Sequence, residues 1–491
     1  MGDFINVYGS EIELTKEQKA CTDYLGDKAL FVKGAAGAGK SLVIQCKAKQ
    51  YIEQYEGDKS NRVLILTFNK TLAYATKQIL KINGDTENYI TVNTINQYLF
   101  DICKELGLRR DRICDAEQQK RYVKAALTMH KNHYGEHRLH KKGVEFWIDE
   151  IAWMKDMNIT IKDEEAYYEL SRAGRGSTAR MSAEDRQVAF QIFYCYKAVL
   201  TLNRKADWVD CAIYIIRHPE LVPDKYKYDH VLIDEAQDFS LAQMMAAVML
   251  YREDMIVAMD VNQRLYKKRW TTKQLGISAT TKKLNMSMRT SMQIDNFAES
   301  IRSYNDDYLD PEDENTDRVI PERTGPMPEV IALNNDAEEK TYVIEKVRAW
   351  LGESGRVSIG ILAATNKQVD LFASWMTDAG IPKEIVRRDS DFDIAKSGVK
   401  IVTTHSAKGL EFLRVIIPEF VEGYYPFRYR SSSNEELDSF MVRERNRAYV
   451  AMTRARHSLI VTYVKNRESQ FMKEANEKCY VYKDFSRGEL C

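Results

Sequence analysis

The sequence lacks the marks of a disulfide-stapled, zinc-binding or membrane-spanning protein. Its eight cysteines are scattered without a CxxC pair, which argues against a zinc site, an iron–sulfur cluster or a disulfide framework. No apolar run approaches the roughly 18 residues that a membrane span needs, and the first residues show no basic-then-apolar signal pattern. These absences predict a soluble, cytoplasmic protein with reduced cysteines and no membrane partner.

An excess of charge of either sign is also missing. Lys+Arg and Asp+Glu each number 72, so the bulk charge does not indicate a polyanionic partner. A nucleic-acid surface would therefore have to be a local patch. At 491 residues the chain is too long for one ordinary hydrophobic core, which predicts roughly two to four domains.

What the sequence does contain is one phosphate-binding loop of the pattern GxxxxGK[ST], between an apolar run typical of a buried strand and an amphipathic helical pattern. Its residues are Gly34, Ala35, Ala36, Gly37, Ala38, Gly39, Lys40 and Ser41. Glycine backbone N–H groups and a helix N-terminus suit a nucleoside triphosphate. Lys40 would neutralise the β- and γ-phosphates, and Ser41 would hold Mg²⁺. A Gly/Ala-rich turn that matches by chance is disfavoured by the flanking strand and helix.

An acidic pair supplies what such a loop lacks. The apolar run 231–233 ends in Asp234 and Glu235. Asp234 can hold Mg²⁺ through its water shell, and Glu235 can orient or deprotonate the attacking water. Turn-forming carboxylates are the alternative. A further strand, 255–259, leads to Gln263, whose amide could sense the γ-phosphate.

The alternation of strands and helices predicts the organisation of the chain. Residues 11–28 read as a helix with Thr15 as its N-cap, and strands at 63–68 and 89–94 are each followed by helical pattern. This order predicts a doubly wound parallel α/β sheet. In the second half, strands alternate with helices at 336–351 and 366–379, which predicts another α/β layer without a phosphate loop.

Two stretches have a composition that suits nucleic acid. Residues 104–142 hold eleven Lys/Arg against five Asp/Glu and four histidines, but a solvated helical face explains them equally well. The histidines lack partners at metal-ligand spacing. The run 266–273 mixes aromatic and cationic residues, which suits stacked bases and phosphates, with an exposed basic loop as the alternative.

The ordered set of motifs resembles superfamily 1 helicases of the UvrD/Rep type from about Leu14 to Val464. The motifs are GAAGAGKS, TFNK, DEAQD, NQRLY, LNMSMRTS, HSAKGLEF and RAYVAMTRAR. The resemblance implies two RecA-like P-loop domains with a helical insertion in the first. It assigns residues 1–96 and 206–285 to domain 1A, 97–205 to the helical insertion 1B, and 286–491 to domain 2A.

The resemblance also implies roles for individual residues. ATP would lie between the two domains, with Gln18 reading the adenine, Glu411 contacting the ribose and Gln263 sensing the γ-phosphate. Arg289 and Arg454 would reach the γ-phosphate from the second domain; for Arg454 the alternative is a surface ion pair. The residues that match the family's single-strand channel are Phe68, Thr94, Asn96, Tyr266, Trp270 and His405.

The sequence departs from the family at several positions. Met288 replaces an aromatic residue, and Asn96 stands where a histidine is usual. Lys268 occupies the aligned position of a tryptophan, so whether Tyr266 or Trp270 stacks on a base stays open. Only about 20 residues separate Pro382 from Ile401, where full-length relatives carry the accessory domain 2B. No appended nuclease is expected.

These features predict an ATP-dependent enzyme that uses Mg²⁺. The resemblance implies a translocase that moves 3′ to 5′ along single-stranded DNA and separates duplex ahead of it, with RNA as an open alternative substrate. The second interpretation is a regulatory ATPase that is switched by nucleic acid and serves a partner such as a nuclease. A binding protein without hydrolysis is disfavoured because the candidate catalytic residues are present.

Overall fold

Two parallel β-sheets surrounded by helices form the protein. The computed structural model describes residues 4–7, 10–26, 28–34, 37–54, 61–82, 89–172, 181–260, 270–285, 290–304, 321–353, 357–387, 392–393, 396–428 and 434–485. The two sheets have six and seven strands. The predicted α/β class is therefore confirmed. Within these ranges no helix combines the length and the apolar composition that a membrane crossing requires.

The first sheet contains the strand that leads into the phosphate loop. An antiparallel hairpin of β1 (Phe4–Val7) and β2 (Ser10–Glu13) precedes it. The sheet strands are β3 (Ala29–Gly34), β4 (Val63–Thr67), β5 (Ile90–Thr94), β6 (Tyr228–Ile233), β7 (Tyr251–Met259) and β8 (Ala279–Leu284). Their spatial order is β5-β4-β6-β7-β3-β8, and all pairs are parallel. One strand, β7, therefore separates the phosphate-loop strand from the DEAQD strand.

Helices connect these strands, and a separate helical unit lies between β5 and β6. The connecting helices are α1 (Lys16–Thr22), α2 (Lys40–Gln54) and α3 (Lys70–Leu80); those between β5 and β6 are α4 (Ile95–Glu105), α5 (Ala116–Tyr134), α6 (Val144–Asp156), α7 (Glu164–Glu169), α8 (Ala183–Leu202) and α9 (Trp208–Arg217). Residues from α5 to α8 bury their own core around Trp147, Tyr167 and Tyr196. The predicted helical insertion is confirmed.

The second sheet begins after α10 (Leu241–Val248), α11 (Thr272–Leu275) and α12 (Met292–Arg302). Its strands are β9 (Glu329–Leu333), β10 (Ser358–Ala363), β11 (Lys383–Val386), β12 (Gly398–Thr403), β13 (Phe412–Ile417), β14 (Ala455–Val464) and β15 (Val481–Asp484). They lie in the order β11-β12-β10-β13-β14-β9-β15. Its helices are α13 (Asp336–Glu353), α14 (Asn366–Asp378), α15 (Asn434–Met452) and α16 (Gln470–Glu474).

The strands predicted from apolar runs are confirmed. Strands of a parallel sheet are covered on both faces, which is why their sequences are continuously apolar. The helix predicted over 11–28 is wrong at both ends. Residues up to Glu13 belong to β2, and α1 ends at Thr22. Thr15 is the N-cap as predicted: its hydroxyl accepts from the Gln18 N–H, while the Gln18 side chain accepts from the Thr15 N–H.

The two sheets are docked through α3. The Phe392 ring lies 5.1 Å from the Tyr74 ring, and the Phe392 carbonyl accepts a hydrogen bond of 2.6 Å from the Gln78 side chain. Leu72 packs against Gly409, where a Cβ would lie 2.8 Å from a Leu72 methyl carbon. Phe392 belongs to the connector between β11 and β12, so this connector contributes to the contact between the two halves.

Candidate functional site

The phosphate loop depends on its glycines. Gly37 and Gly39 have φ angles of 80° and 84°, a region that residues with a Cβ rarely adopt. A Cβ on Gly34 would lie 2.9 Å from that of Ala38. The helix α2 begins directly at Lys40, so its N-terminal N–H groups face the loop. Ala35 and Ala36 lie outside the described residues.

Lys40 is held by the protein itself. Its side chain is buried, donates to the Gly34 carbonyl at 2.8 Å, and lies 3.1 Å from the Asp260 carboxylate. Asp260 follows β7, the strand between the phosphate loop and the DEAQD segment. A phosphate group in the loop would compete for Lys40 with both of these acceptors.

Ser41 and Asp234 meet at the carboxyl edge of the sheet. Burial and the neighbouring Glu235 carboxylate raise the pKa of Asp234 to about 6, while a hydrogen bond from Ser41 and the charge of Lys40 oppose the shift. A hydroxyl beside a buried carboxylate whose negative charge is poorly solvated is a donor set that fits a hard divalent cation such as Mg²⁺.

Glu235 is held in place from two sides. Its backbone has a φ of 55°, and its N–H donates to the Asp234 carboxylate at 2.9 Å. The Gln237 amide donates to the Glu235 carboxylate and accepts from the Asp260 N–H at 2.8 Å. Gln237 therefore links Glu235 to the residue that holds Lys40.

The second sheet contributes Lys408, which enters the cleft between the two sheets beside Glu235 and Asp238. Lys408 follows β12 and forms a buried ion pair with Asp238, the last residue of DEAQD; its Nζ lies 3.9 Å from Glu235 Oε2. Lys408 was not among the residues predicted from the sequence to belong to the site. The available signal was a lysine inside the HSAKGLEF motif, but only the docked sheets show which carboxylates it meets.

Arg454 is fully buried, so the alternative of a surface ion pair is excluded. Its guanidinium donates to the Val450 carbonyl at 2.9 Å and to the Leu410 carbonyl at 3.4 Å. Glu411 is partly buried, with a carboxylate oxygen 3.9 Å from Arg456 Nε. Both residues belong to the second sheet's side of the cleft. Arg289 and Gln263 lie outside the described residues.

Gln18 lies on the phosphate loop. Its side-chain N–H₂ donates to the Ala38 carbonyl at 3.0 Å, and its oxygen accepts from the Thr15 N–H at 2.9 Å. A Cβ on Gly39 would approach the Gln18 nitrogen to 2.2 Å. Both ends of the amide are therefore occupied by the N-cap and the loop.

The residues predicted to contact nucleic acid lie at the carboxyl ends of other strands in the two sheets. Phe68 follows β4, Thr94 ends β5, Asn96 follows β5, and His405 follows β12. His405 is exposed, whereas Thr94 is buried and caps α4 by accepting from the Gln97 N–H at 3.3 Å. The nucleotide candidates of the first sheet follow β3 and β6, so Phe68, Thr94 and Asn96 are their neighbours along the same edge of that sheet, whereas His405 lies at an edge of the second sheet.

Trp270 is partly buried within the first half. Its indole N–H donates to the Phe239 carbonyl at 3.0 Å, and its ring meets the Phe31 ring edge-on at 6.0 Å. These contacts fix the ring against the core of the first sheet. Tyr266 lies outside the described residues, so the choice between the two aromatics stays a prediction.

Comparison with known proteins gives two family matches. Residues 14–316 match the UvrD/REP helicase N-terminal domain, and residues 387–466 match the UvrD-like helicase C-terminal domain. A probable DNA helicase II homolog of Mycoplasma capricolum is 24% identical over 76% of this chain and 52% of its own length. The chain thus spans about half the length of that relative.

Two further relatives match shorter segments. DNA helicase II of Escherichia coli is 36% identical over 18% of this chain and 13% of its own length. The ATP-dependent DNA helicase PcrA of Staphylococcus aureus is 34% identical over 21% of this chain and 15% of its own length.

Proposed function

The chain belongs to the UvrD/REP helicase family, and from this we propose that it hydrolyses ATP to move 3′ to 5′ along single-stranded DNA and to separate duplex ahead of it. The observation that supports this proposal most directly is the meeting of two half-sites. Lys40, Ser41, Asp234 and Glu235 come from the first sheet, and Lys408 enters the same cleft from the second.

Each half-site has a chemical task in hydrolysis. Lys40 exchanges the Asp260 carboxylate for the β- and γ-phosphates, and Ser41 with Asp234 would hold Mg²⁺. Bound Mg²⁺ supplies charge compensation for the phosphates. Glu235, held by Gln237, orients and deprotonates the attacking water. Gln263, Arg289 and Arg454 contact the γ-phosphate side, so hydrolysis requires a closed cleft.

The base and the ribose are held at the rim of the cleft. Gln18 releases the Ala38 carbonyl and pairs with the adenine through the same donor and acceptor. Glu411 contacts the ribose. We assign residues 1–96 and 206–285 to domain 1A, 97–205 to insertion 1B and 286–491 to domain 2A, so that cleft closure moves 2A against 1A.

The single strand crosses the carboxyl edges of β4, β5 and β12. Phe68, Thr94, Asn96 and His405 line this path, with Tyr266 or Trp270 as the stacking platform. Stacking accepts any base, and phosphate contacts are screened by salt, so binding is independent of sequence and weakens steeply as salt increases.

The test is the ATPase rate with and without single-stranded DNA or RNA. We expect stimulation by single-stranded DNA, loss of hydrolysis in Lys40→Ala, and retention of nucleotide binding without turnover in Glu235→Gln. Stabilisation by nucleotide against heat separates the two variants. A Glu235→Gln protein that hydrolyses ATP at the wild-type rate would show that another residue activates the water. Stimulation by RNA alone would change the substrate class.

A further inference from the structure

Gln243 uses both ends of its side-chain amide. It lies in the first turn of α10, shortly after DEAQD, and is 4% exposed. Its oxygen accepts from the Ser240 N–H at 2.8 Å, and its nitrogen donates to the Asn96 side-chain oxygen at 2.8 Å. Because a backbone N–H can only donate, the Gln243 oxygen must face Ser240 and its N–H₂ group must face Asn96.

This arrangement also fixes the orientation of Asn96. The Asn96 carbonyl has to face Gln243, so its N–H₂ group points away from Gln243. Among the residues that the structure describes, this N–H₂ group makes no hydrogen bond. Asn96 is only partly buried and follows β5, at the sheet edge where the proposed strand path runs. A fixed donor therefore remains available at this edge.

We propose that Gln243 is a positioning residue that turns the Asn96 amide so that its N–H₂ group donates to a phosphate oxygen of the bound strand. Asparagine amides are common donors to nucleic-acid phosphates. The inference rests on the proposed function, because it requires a bound nucleic-acid strand. It adds a buried residue that does not touch the strand itself.

The hydrogen bond between Gln243 and Asn96 explains why asparagine can stand at a position where UvrD/Rep helicases usually have histidine. A neutral imidazole accepts a hydrogen bond at one nitrogen and donates from the other. It can therefore accept from the Gln243 N–H₂ and still present an N–H to the strand, as the asparagine amide does. Aspartate would accept from Gln243 but would present only acceptors.

The decisive variant is Gln243→Glu. The carboxylate still accepts from the Ser240 N–H, so the cap of α10 is kept. It cannot donate, so Asn96 turns its N–H₂ group towards residue 243 and presents its carbonyl to the phosphates. We expect about tenfold weaker binding of fluorescein-labelled oligo(dT), measured by anisotropy at fixed salt, because a hydrogen bond to a charged group is lost.

Asn96→His provides the rescue. Alone, it should bind oligo(dT) more tightly than Gln243→Glu does, because it keeps one acceptor and one donor. In the double variant with Gln243→Glu, the imidazole lies between two anions, takes up a second proton and donates to both. The double variant should therefore recover most of the lost affinity, which a folding defect at Gln243 would not allow.

Gln118→Glu is the matched control. Gln118 occupies the same position in the capping box of α5, with Asp115 as the cap, and among the described residues its side chain bonds only within that cap. This variant should bind like the wild type.

Wild-type affinity in Gln243→Glu, or failure of Asn96→His to restore binding in the double variant, would overturn the inference alone. A wild-type chain that binds no oligonucleotide would overturn the proposed function with it.

Discussion

Lys408 shows how one residue can join two sheets. The side chains of Lys408 and Asp238 are 3% and 0% exposed, and Glu235 Oε2 lies 3.9 Å from Lys408 Nζ. Breaking a buried pair by removing one partner typically costs about 3 to 5 kcal/mol, because the remaining charge has lost both water and its counter-ion. Here the carboxylates and the cation come from different sheets. The free-energy cost of losing one partner therefore opposes closure of the cleft between the two sheets.

We expect Lys408→Met to lower kcat for DNA-stimulated ATP hydrolysis at least tenfold, because Asp238 and Glu235 lose their shared cation in the closed cleft. Steady-state ATPase measurements test this. Arg443→Met is the control: Arg443 pairs with Asp149 at 3.9 Å on an exposed surface, where ion pairs contribute about 0 to 1 kcal/mol. Equal rates in the two variants would show that the buried pair has no part in closure.

Glu339 is a second buried charge, in a purely structural setting. Its Oε1 accepts from the Glu419 N–H at 2.9 Å and from the Thr462 hydroxyl, while its Oε2 has no hydrogen-bond partner among the described residues. Burial raises the pKa of Glu339, although the hydrogen bonds from the Thr462 hydroxyl and the Glu419 N–H oppose the shift. The folded state therefore binds a proton more tightly than the unfolded state does at this carboxyl.

The sign of the pH dependence follows from this shift. As pH increases from the unfolded-state pKa of Glu339 through its folded-state pKa, this group lowers the stability of the fold, and the loss persists above both values. Glu339→Gln should raise the thermal midpoint at pH 8 by a few degrees and have a smaller effect near pH 5. Glu345→Gln, on the exposed face of α13, should change neither midpoint. A lower midpoint for Glu339→Gln at pH 8 would contradict the argument.

Among elements, the connector between β11 and β12 has an unexpected contact. Phe392 is 3% exposed and packs on Tyr74 of α3. Interfaces between domains of one chain are generally small, so domains move unless specific contacts hold them. The connector supplies such a contact on the α3 side, beside Leu72 and Gly409.

Phe392→Ala should increase the radius of gyration of the nucleotide-free protein, because truncating a buried Phe typically removes about 3 to 5 kcal/mol of packing. Small-angle scattering measures the expansion. Tyr74→Ala removes the same contact from α3 and should expand the protein similarly, whereas Leu371→Ala, 39% exposed on α14, should not. Unchanged dimensions in both interface variants would contradict a docking role for the connector.

Strands with a strong apolar pattern could be predicted from the sequence, and edge strands without such a pattern could not. β4 and β6 are buried along their whole length, so their apolar runs identify them. β8, β11 and β15 are edge strands whose residues are mainly exposed or partly exposed, so no apolar run marks them. The helix over 11–28 was wrong because local propensity does not register the pairing of β2 with β1.

The candidate site divides in a similar way. The roles proposed for Lys40, Ser41 and Asp234 follow from a loop motif and a strand end, which are local in the sequence. The Lys408 pair and the Gln243–Asn96 hydrogen bond join residues that are far apart in sequence, at separations of 170 and 147 positions. Such contacts depend on how strands are ordered and how the sheets dock, which a linear pattern does not specify.

At the scale of the whole molecule, both proposed ligands share one pair of sheet edges. The residues proposed to bind the nucleotide follow β3, β6 and β7. The residues proposed to bind single-stranded DNA follow β4, β5 and β12. When the cleft between the two sheets opens or closes, the DNA-contacting residues after β4 and β5 therefore move relative to those after β12. Under the proposed function, this arrangement would couple ATP hydrolysis to displacement along a nucleic-acid strand.

The last prediction concerns duplex DNA. β11 ends at Val386 and β12 begins at Gly398, so only a short connector stands where the resembling helicases carry the 2B domain that engages duplex. We expect ATP-dependent displacement of streptavidin from biotinylated single strands but poor unwinding of a long tailed duplex unless a partner assists. Lys40→Ala should do neither. Efficient unwinding by the lone chain would refute the dependence on a partner. ATPase activity without displacement of streptavidin would favour a regulatory ATPase, because hydrolysis would then proceed without movement.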